Sequence, residues 1–445
     1  MLTRRQLLAA LAVPAHPNVI VILTDDQGYG DLGCFGAAEA RTPHWDRLAA
    51  EGIRFTDWHA NSPVCSPSRA SVLTGKYPQR TGIAEVLNSK PTFDVAGLRR
   101  GEVSLGRELQ KAGYKTAAVG KWHLGSEAAS RPRAQGFDEF YGFYSGWVDY
   151  YSQRYYTLGG NPGASGPPPQ NIFHDFWDNE KEIYPEPQHQ TALLGRRAVE
   201  FVRRQQAGQP FFLYLAFGAP HYPMMAPANC VERFPATMDR DRRLHLAMIA
   251  DIDDQIGALR AELQRKGMAR NTIVFFQADN GATEETRADH AGRPYRGGSN
   301  GPWRAFKGSL FEGGHRVPAM IAWPGQLRPR VESGTGMGMD VLPTVLGLAG
   351  VALPAGIDGS DLSGALRGGA PWPQRTLHWE YSRQRAVRKG DWKLTVNPRP
   401  SLLGPNENVT WLANLQDDPG ETKNLSAERP AVLAELQEAM AAWRW

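Results

Sequence analysis

One arrangement recurs four times along the chain: an apolar run of strand length that empties into a short polar segment. Asn18-Val19-Ile20-Val21-Ile22-Leu23-Thr24 runs into Asp25-Asp26-Gln27-Gly28, and Thr116-Ala117-Ala118-Val119 into Gly120-Lys121-Trp122-His123. Phe211 to Phe217 runs into Gly218-Ala219-Pro220-His221, and Thr272 to Phe276 is followed by Asp279-Asn280-Gly281. Runs without polar alternation predict strands buried on both faces. Helical spacing appears between them, over Val103 to Ala112, Thr191 to Gln206, Arg242 to Lys266 and Asp340 to Ala349. This alternation predicts an α/β fold, a large mostly parallel sheet sandwiched by helices. In such sheets ligands bind beyond the C-terminal ends of the strands, where these polar residues fall. The helix from Arg242 carries Leu246, Ile249, Ile252, Ile256, Leu259 and Leu263 at helical spacing and is read as core packing.

At 445 residues the chain has room for one large domain and a small companion. The net charge is only +4 and no Lys/Arg run stands out, so charge gives no reason to expect nucleic acid as a partner. Three cysteines, Cys34, Cys65 and Cys230, do not make a disulfide scaffold, and whether Cys34 and Cys230 pair is open at this level. Residues 1–15 read as an export signal: Thr3-Arg4-Arg5-Gln6-Leu7-Leu8 resembles a twin-arginine start, and Val13-Pro14-Ala15 is a small-residue end. The apolar run from Leu7 to Val13 is too short to span a bilayer, and the expected location is periplasmic or secreted.

Between the first two strands lies Cys65-Ser66-Pro67-Ser68-Arg69-Ala70-Ser71-Val72-Leu73-Thr74-Gly75. Ser66 is a suitable N-cap and Pro67 a suitable first helical residue, which predicts a helix starting here with Cys65 just ahead of its free amide groups. That end attracts anions, and Arg69 lies one turn further on. This stretch resembles the signature of type I, formylglycine-dependent sulfatases, within the alkaline phosphatase superfamily, in which that cysteine is oxidised to 3-oxoalanine. The general pattern looks closest to the arylsulfatase A and N-acetylgalactosamine-6-sulfatase branch. A hydrated aldehyde suits the chemistry, because one hydroxyl can attack sulfur and the other can expel sulfate as the carbonyl reforms, whereas a serine would stay sulfated.

The resemblance implies the rest of the site. Asp25, Asp26, Asp279 and Asn280 match the family's metal ligands, joined by an oxygen of the modified Cys65. Independently, two adjacent carboxylates at the end of a buried strand repel each other unless a cation lies between them. An all-oxygen set with three carboxylates suits one calcium ion rather than zinc, with magnesium or manganese as alternatives. Arg69, Lys121 and Lys307 match the groups that stabilise sulfate charge, and His123 and His221 match the proton carriers. Lys121, His221, Lys307 and Ser145 are the implied substrate contacts, with Asp149, Asp178 and Arg154 as further specificity candidates. The implied activity is hydrolysis of carbohydrate or aryl sulfates, after maturation by a formylglycine-generating enzyme. The alternatives are a phosphonate monoester or phosphodiester hydrolase on the same fold, or an inactive sulfated-glycan binder.

Two further regions complete the expectations. Tyr141 to Tyr184 breaks the strand–helix rhythm and reads as a long irregular insertion that walls the pocket. Residues 16–370 are read as the catalytic domain and 371–445 as a C-terminal subdomain of short strands and one helix. Its strands are expected over Thr376 to Tyr381, Ala386 to Leu394 and Val409 to Leu415, and its helix over Pro430 to Trp443.

Overall fold

A computed structural model describes residues 16–157, 170–285 and 293–443. The signal segment 1–15, and Gly159-Gly160 and Pro167-Pro168-Pro169 of the insertion, lie outside the described residues. Five parallel strands form the centre: β1 (Asn18–Thr24), β2 (Lys115–Lys121), β3 (Glu139–Phe143), β4 (Phe211–Ala216) and β5 (Thr272–Ala278). They lie in the order β5-β1-β4-β2-β3. Beyond β5, Ala319–Ala322 runs antiparallel, followed by Ile53–Phe55 and Arg330–Glu332; beyond β3, Trp177–Asp178 and Lys181–Glu182 form an antiparallel edge. The described sheet is therefore mixed at its edges and parallel at its centre.

The apolar runs have no alternation because both faces are covered. Val19, Val21 and Leu23 of β1 join one core with Val72, Leu109 and Val345 from the helices on that side. Ile20 and Ile22 join the opposite core with Leu48, Phe201, Ile252 and Ile256. The expected helices are present over Leu105–Lys111, Gln190–Arg204, Arg240–Arg265 and Val341–Ala349. Close strand approach dictates one glycine: Gly120 in β2 has φ +112, and a Cβ there would lie 1.8 Å from the Ala216 carbonyl oxygen. Only glycine fits.

The insertion is less irregular than expected. It begins inside β3, and Arg154–Thr157 pairs with Gln170–His174 as an antiparallel hairpin. At the C-terminus the expected strand from Ala386 to Leu394 is two strands, Gln384–Lys389 and Trp392–Val396, because the chain turns at Gly390, where φ is +59. With Thr376–Tyr381 and Thr410–Asn414 they form a four-stranded antiparallel sheet. The helix Pro430–Ala442 covers one face through Leu436 and Met440. The other face places Leu377, Trp379 and Ala386 against Val64, Leu310 and Met337. Buried charge also crosses this junction, with Arg388 bound to both Asp57 oxygens at 2.9 and 2.8 Å and Lys393 2.8 Å from Glu312.

Candidate active site

Sheet register brings the polar residues together. Leu23 stands level with both Ala216 and Gln277, and Gly120 with Ala216, so β1, β2, β4 and β5 end at one rim. Asp25, Asp26, Lys121, Asp279 and Asn280 emerge there and are all buried. Asp26 adopts φ +61, and its N–H donates to Asp279 Oδ1 at 3.3 Å. His123 is also left-handed, at φ +53. Non-glycine residues in this conformation store strain of about 1–3 kcal/mol and collect at functional sites.

Helix α1 (Cys65–Thr74) arrives at the same rim, with every residue buried. The expected Ser66 cap does not form. Extended Val64 precedes the helix, Cys65 is its first residue, and Ser66 Oγ instead accepts the N–H of Leu87 at 3.2 Å. Arg69 donates through Nε to Asp279 Oδ2 at 2.8 Å and through Nη1 to the Lys121 carbonyl at 3.4 Å, and its Nη2 lies 2.7 Å from Asp279 Oδ2 in an ion pair. Lys121 Nζ lies 2.5 Å from Asp25 Oδ2. Lys307 Nζ lies 2.9 Å from Asp26 Oδ1 and 3.1 Å from Glu285 Oε2.

The two histidines show opposite tautomers. His221 Nδ1 faces the Tyr222 carbonyl at 2.8 Å, so the proton sits there and Nε2 is left as an acceptor, 3.7 Å from Asp26 Oδ2. His123 Nε2 faces the Leu87 carbonyl at 2.9 Å, which leaves a buried, unpartnered Nδ1. Burial, reinforced by Lys121 for His123 and by Lys307 and Lys121 for His221, holds both rings well below the usual imidazole range. Burial acts against the Lys307 ammonium, but Asp26 and Glu285 outweigh it and hold the lysine charged. Burial also pushes the Cys65 thiol up against the pull of Lys121 and Lys307, so a free thiolate is disfavoured here.

Cys65, His123, His221 and Lys307 line a cleft of about 540 Å³. Trp147 and Tyr155 of the insertion wall it, as does Tyr222. Ser145 lines a smaller hollow behind His123, and its N–H donates to Asp175 Oδ2 at 2.7 Å. Asp149, Asp178 and Arg154 do not line the cleft: Asp149 accepts the N–H groups of Tyr151 and Ser152, Asp178 pairs with Arg197 at 3.0 Å, and Arg154 starts the hairpin. Sequence reasoning missed Glu285. Its only signal is its position just after the Asp279-Asn280-Gly281 strand end.

The carboxylate cluster fits a hard divalent cation. Asp25 Oδ1 and Asn280 Oδ1 are buried without hydrogen-bond partners, as oxygens reserved for another ligand would be. Asp25, Asp26 and His221 each bring a ligand-capable atom within 4.8 Å of the others. Burial, with Asp25 and Glu285 adding to it against the pull of Lys307, lifts the Asp26 carboxyl from 3.8 to about 7, the mark of a carboxylate lacking sufficient positive charge. A second grouping, His59, Glu312 and His315, is unlike this one, because Lys393 Nζ lies 2.8 Å from Glu312 and 3.1 Å from His315 and supplies the positive charge itself. Cys34, Cys65 and Cys230 are all unpaired.

Comparison with known proteins agrees with this geometry. Residues 17–351 match the Sulfatase family model, and residues 301–444 match the model of the N-sulphoglucosamine sulphohydrolase C-terminal region. The chain is 36% identical to N-acetylgalactosamine-6-sulfatase of Canis lupus familiaris over 403 residues, covering 87% of this chain and 73% of that protein. It is 34% identical to arylsulfatase A of Bos taurus, covering 98% and 88%. Among solved structures, Ps i-CgsB in complex with k-i-k-neocarrahexaose superposes with a TM-score of 0.84 at 30% identity, covering 97% of this chain and 93% of that one.

Proposed function

The chain belongs to the sulfatase family and is a sulfuric ester hydrolase, and from that premise we propose that it cleaves sulfate esters of carbohydrates with a formylglycine at position 65 and a bound calcium ion. The observation that carries this reading is the burial of Cys65 at a cleft that also receives Lys307 and the free acceptor nitrogen of His221. A formylglycine at position 65 would supply, as its hydrate, one hydroxyl for attack on sulfur and a second for expulsion of sulfate. Asp25, Asp26, Asp279 and Asn280 would hold a calcium ion, which would supply positive charge to the sulfate oxygens.

The remaining work falls to the chain's own groups. Arg69 is fixed by Asp279 and orients the nucleophile, while Lys121 and Lys307 supply charge to the sulfate. Both histidines are neutral at rest and therefore start as proton acceptors. His123 serves the nucleophile side, and beside the departing alcohol the charged Lys307 is the proton donor, with the neutral His221 next to it as an acceptor. Export through the segment 1–15 would place the enzyme in the periplasm or outside the cell, where sulfated glycans occur; no described helix is long and apolar enough to cross a membrane.

The test has two readings on one preparation, produced with a formylglycine-generating enzyme. The tryptic peptide Phe55 to Arg69 should be lighter by the exchange of a thiol-bearing methylene for an aldehyde. That preparation should release sulfate from a hexose sulfate and from an aryl sulfate faster than it cleaves aryl phosphonate or phosphate esters. An aldehyde-bearing protein that prefers the phosphonate would overturn the assignment.

A further inference from the structure

Among the described residues four carboxylates surround the site, and one of them faces differently. Asp25, Asp26 and Asp279 are turned to one another and to Arg69 and Lys121. Glu285, only 2% exposed, lines the cleft itself and is the one carboxylate among the described residues that does so. It is held in place: Thr283 Oγ1 donates to Glu285 Oε2 at 3.3 Å and accepts the Glu285 N–H at 3.0 Å.

Lys307 is paired twice, with Asp26 2.9 Å and Glu285 3.1 Å from the ammonium, and burying the second carboxylate costs desolvation. A cleft built only to grip sulfate would be better without a negative charge 3.1 Å from its binding lysine. That charge becomes useful when the substrate brings a hydrogen-bond donor to it. The same cleft supplies an apolar face for a ring, since Trp147 lies 5.2 Å from Tyr155 and 5.3 Å from Tyr222 between ring centroids, and all three line the cavity.

We propose that Glu285 reads the alcohol half of the substrate: it accepts a hydrogen bond from a neutral sugar hydroxyl next to the scissile sulfate and rejects a second anionic substituent there, with the ring against Trp147, Tyr155 and Tyr222. The preferred substrate class is then a monosulfated sugar unit whose neighbouring position is free, not a vicinal disulfate or a unit carrying a carboxylate at that place. This rests on the reading of the protein as a sulfatase. The physical basis is the asymmetry between a satisfied donor and a like charge facing a buried carboxylate.

Binding separates this from turnover. Titration calorimetry on the Cys65→Ala protein with calcium compares a hexose monosulfate with the disulfate bearing its second group on the adjacent carbon. The monosulfate should bind tighter by about tenfold or more, and Glu285→Gln in the same background should shrink that preference to about threefold or less. Glu285→Asp, which keeps the charge, should retain the preference and guards against a fold defect in the first variant. An unchanged preference in Glu285→Gln, equal weakening of both sugars, or no preference in the parent protein would each overturn the proposal. Sulfate release from p-nitrophenyl sulfate by the aldehyde-bearing protein tests the parent reading separately, because that ester has no sugar hydroxyl. Failure there with the binding preference intact removes the enzymatic reading and leaves the subsite.

Discussion

Asp26→Asn should stabilise the metal-free protein, although it removes a proposed metal ligand. In the folded chain the Asp26 carboxyl is lifted from 3.8 to about 7, chiefly by burial, with Lys307 already counted on the favourable side. Keeping that group ionised at pH 8 therefore costs roughly 4 kcal/mol relative to the unfolded chain. The sign follows from linkage: a carboxyl whose folded value is raised binds its proton more tightly in the folded state. Its penalty is absent below about 4, grows as the pH rises, and is complete above about 7. Asparagine keeps the shape and an acceptor for the Asn280 amide, which now donates to Asp26 Oδ1 at 2.7 Å, and carries no charge. With an unfolding entropy of about 2.1 cal/mol/K per residue, a chain of this length gains about 1 °C per kcal/mol. In EDTA at pH 8, scanning fluorimetry should show the variant melting about 4 °C higher, with the gap falling to about 1–2 °C at pH 5. Calcium at about a hundred times its dissociation constant should then raise the wild type by about 3 °C and leave the variant nearly unmoved. A variant that melts lower in EDTA at pH 8, or a gap that does not close on acidification, would falsify the idea of an under-neutralised carboxylate.

Other outcomes follow from contacts already described. Cys65→Ala should lose turnover completely while its melting temperature stays within about 2 °C of the wild type, because it removes one small atom from a helix already held on all sides; measurable turnover would exclude a covalent role for position 65. Asp279→Ala removes a proposed ligand together with the partner of Arg69, so metal analysis by plasma mass spectrometry should find the calcium lost; full calcium content would exclude Asp279 as a ligand. Gly120→Ala forces a methyl group against the Ala216 carbonyl at φ +112 and should cost at least about 3 kcal/mol, seen as a lower melting temperature or insoluble protein. Arg388→Met leaves Asp57 buried and less well paired at the junction with the C-terminal sheet, and a loss of about 3–5 kcal/mol should appear in thermal melts; an unchanged melt would show that the pairing adds nothing.

The parallel centre of the sheet could be read from sequence because burial on both faces removes alternation, and Val19 to Leu23 is apolar at every step for that reason. The gathering of Asp25, Lys121, His221 and Asp279 followed from one rule about strand ends. The sense of the edge strands did not, because Ile53–Phe55 and Ala319–Ala322 carry no mark of direction and acquire it from their connections. Strand β3 was hidden in the insertion, since Gly142 and the aromatic residues around it resemble loop composition. Ser66 failed as a cap because a tertiary partner, the Leu87 amide, reaches its hydroxyl. Glu285 was invisible for a similar reason: its partner Lys307 is 22 positions away, by subtraction of the residue numbers, and only folding brings the two together.

The enclosure of helix α1 sets an order of events for making the protein. Cys65 is 3% exposed and the ten residues of its helix are buried together, between the main sheet and the segments that follow much later in the chain. Met337, Val341 and Leu342, which close over this region, are synthesised after some 270 further residues, the difference between positions 65 and 337. The modification proposed at Cys65, by an enzyme that holds the segment in its own active site, would therefore have a window that opens with synthesis of the segment and shuts when the C-terminal half docks. Changes that speed docking would lower the modified fraction without touching the site, and slower translation downstream of Cys65 would raise it.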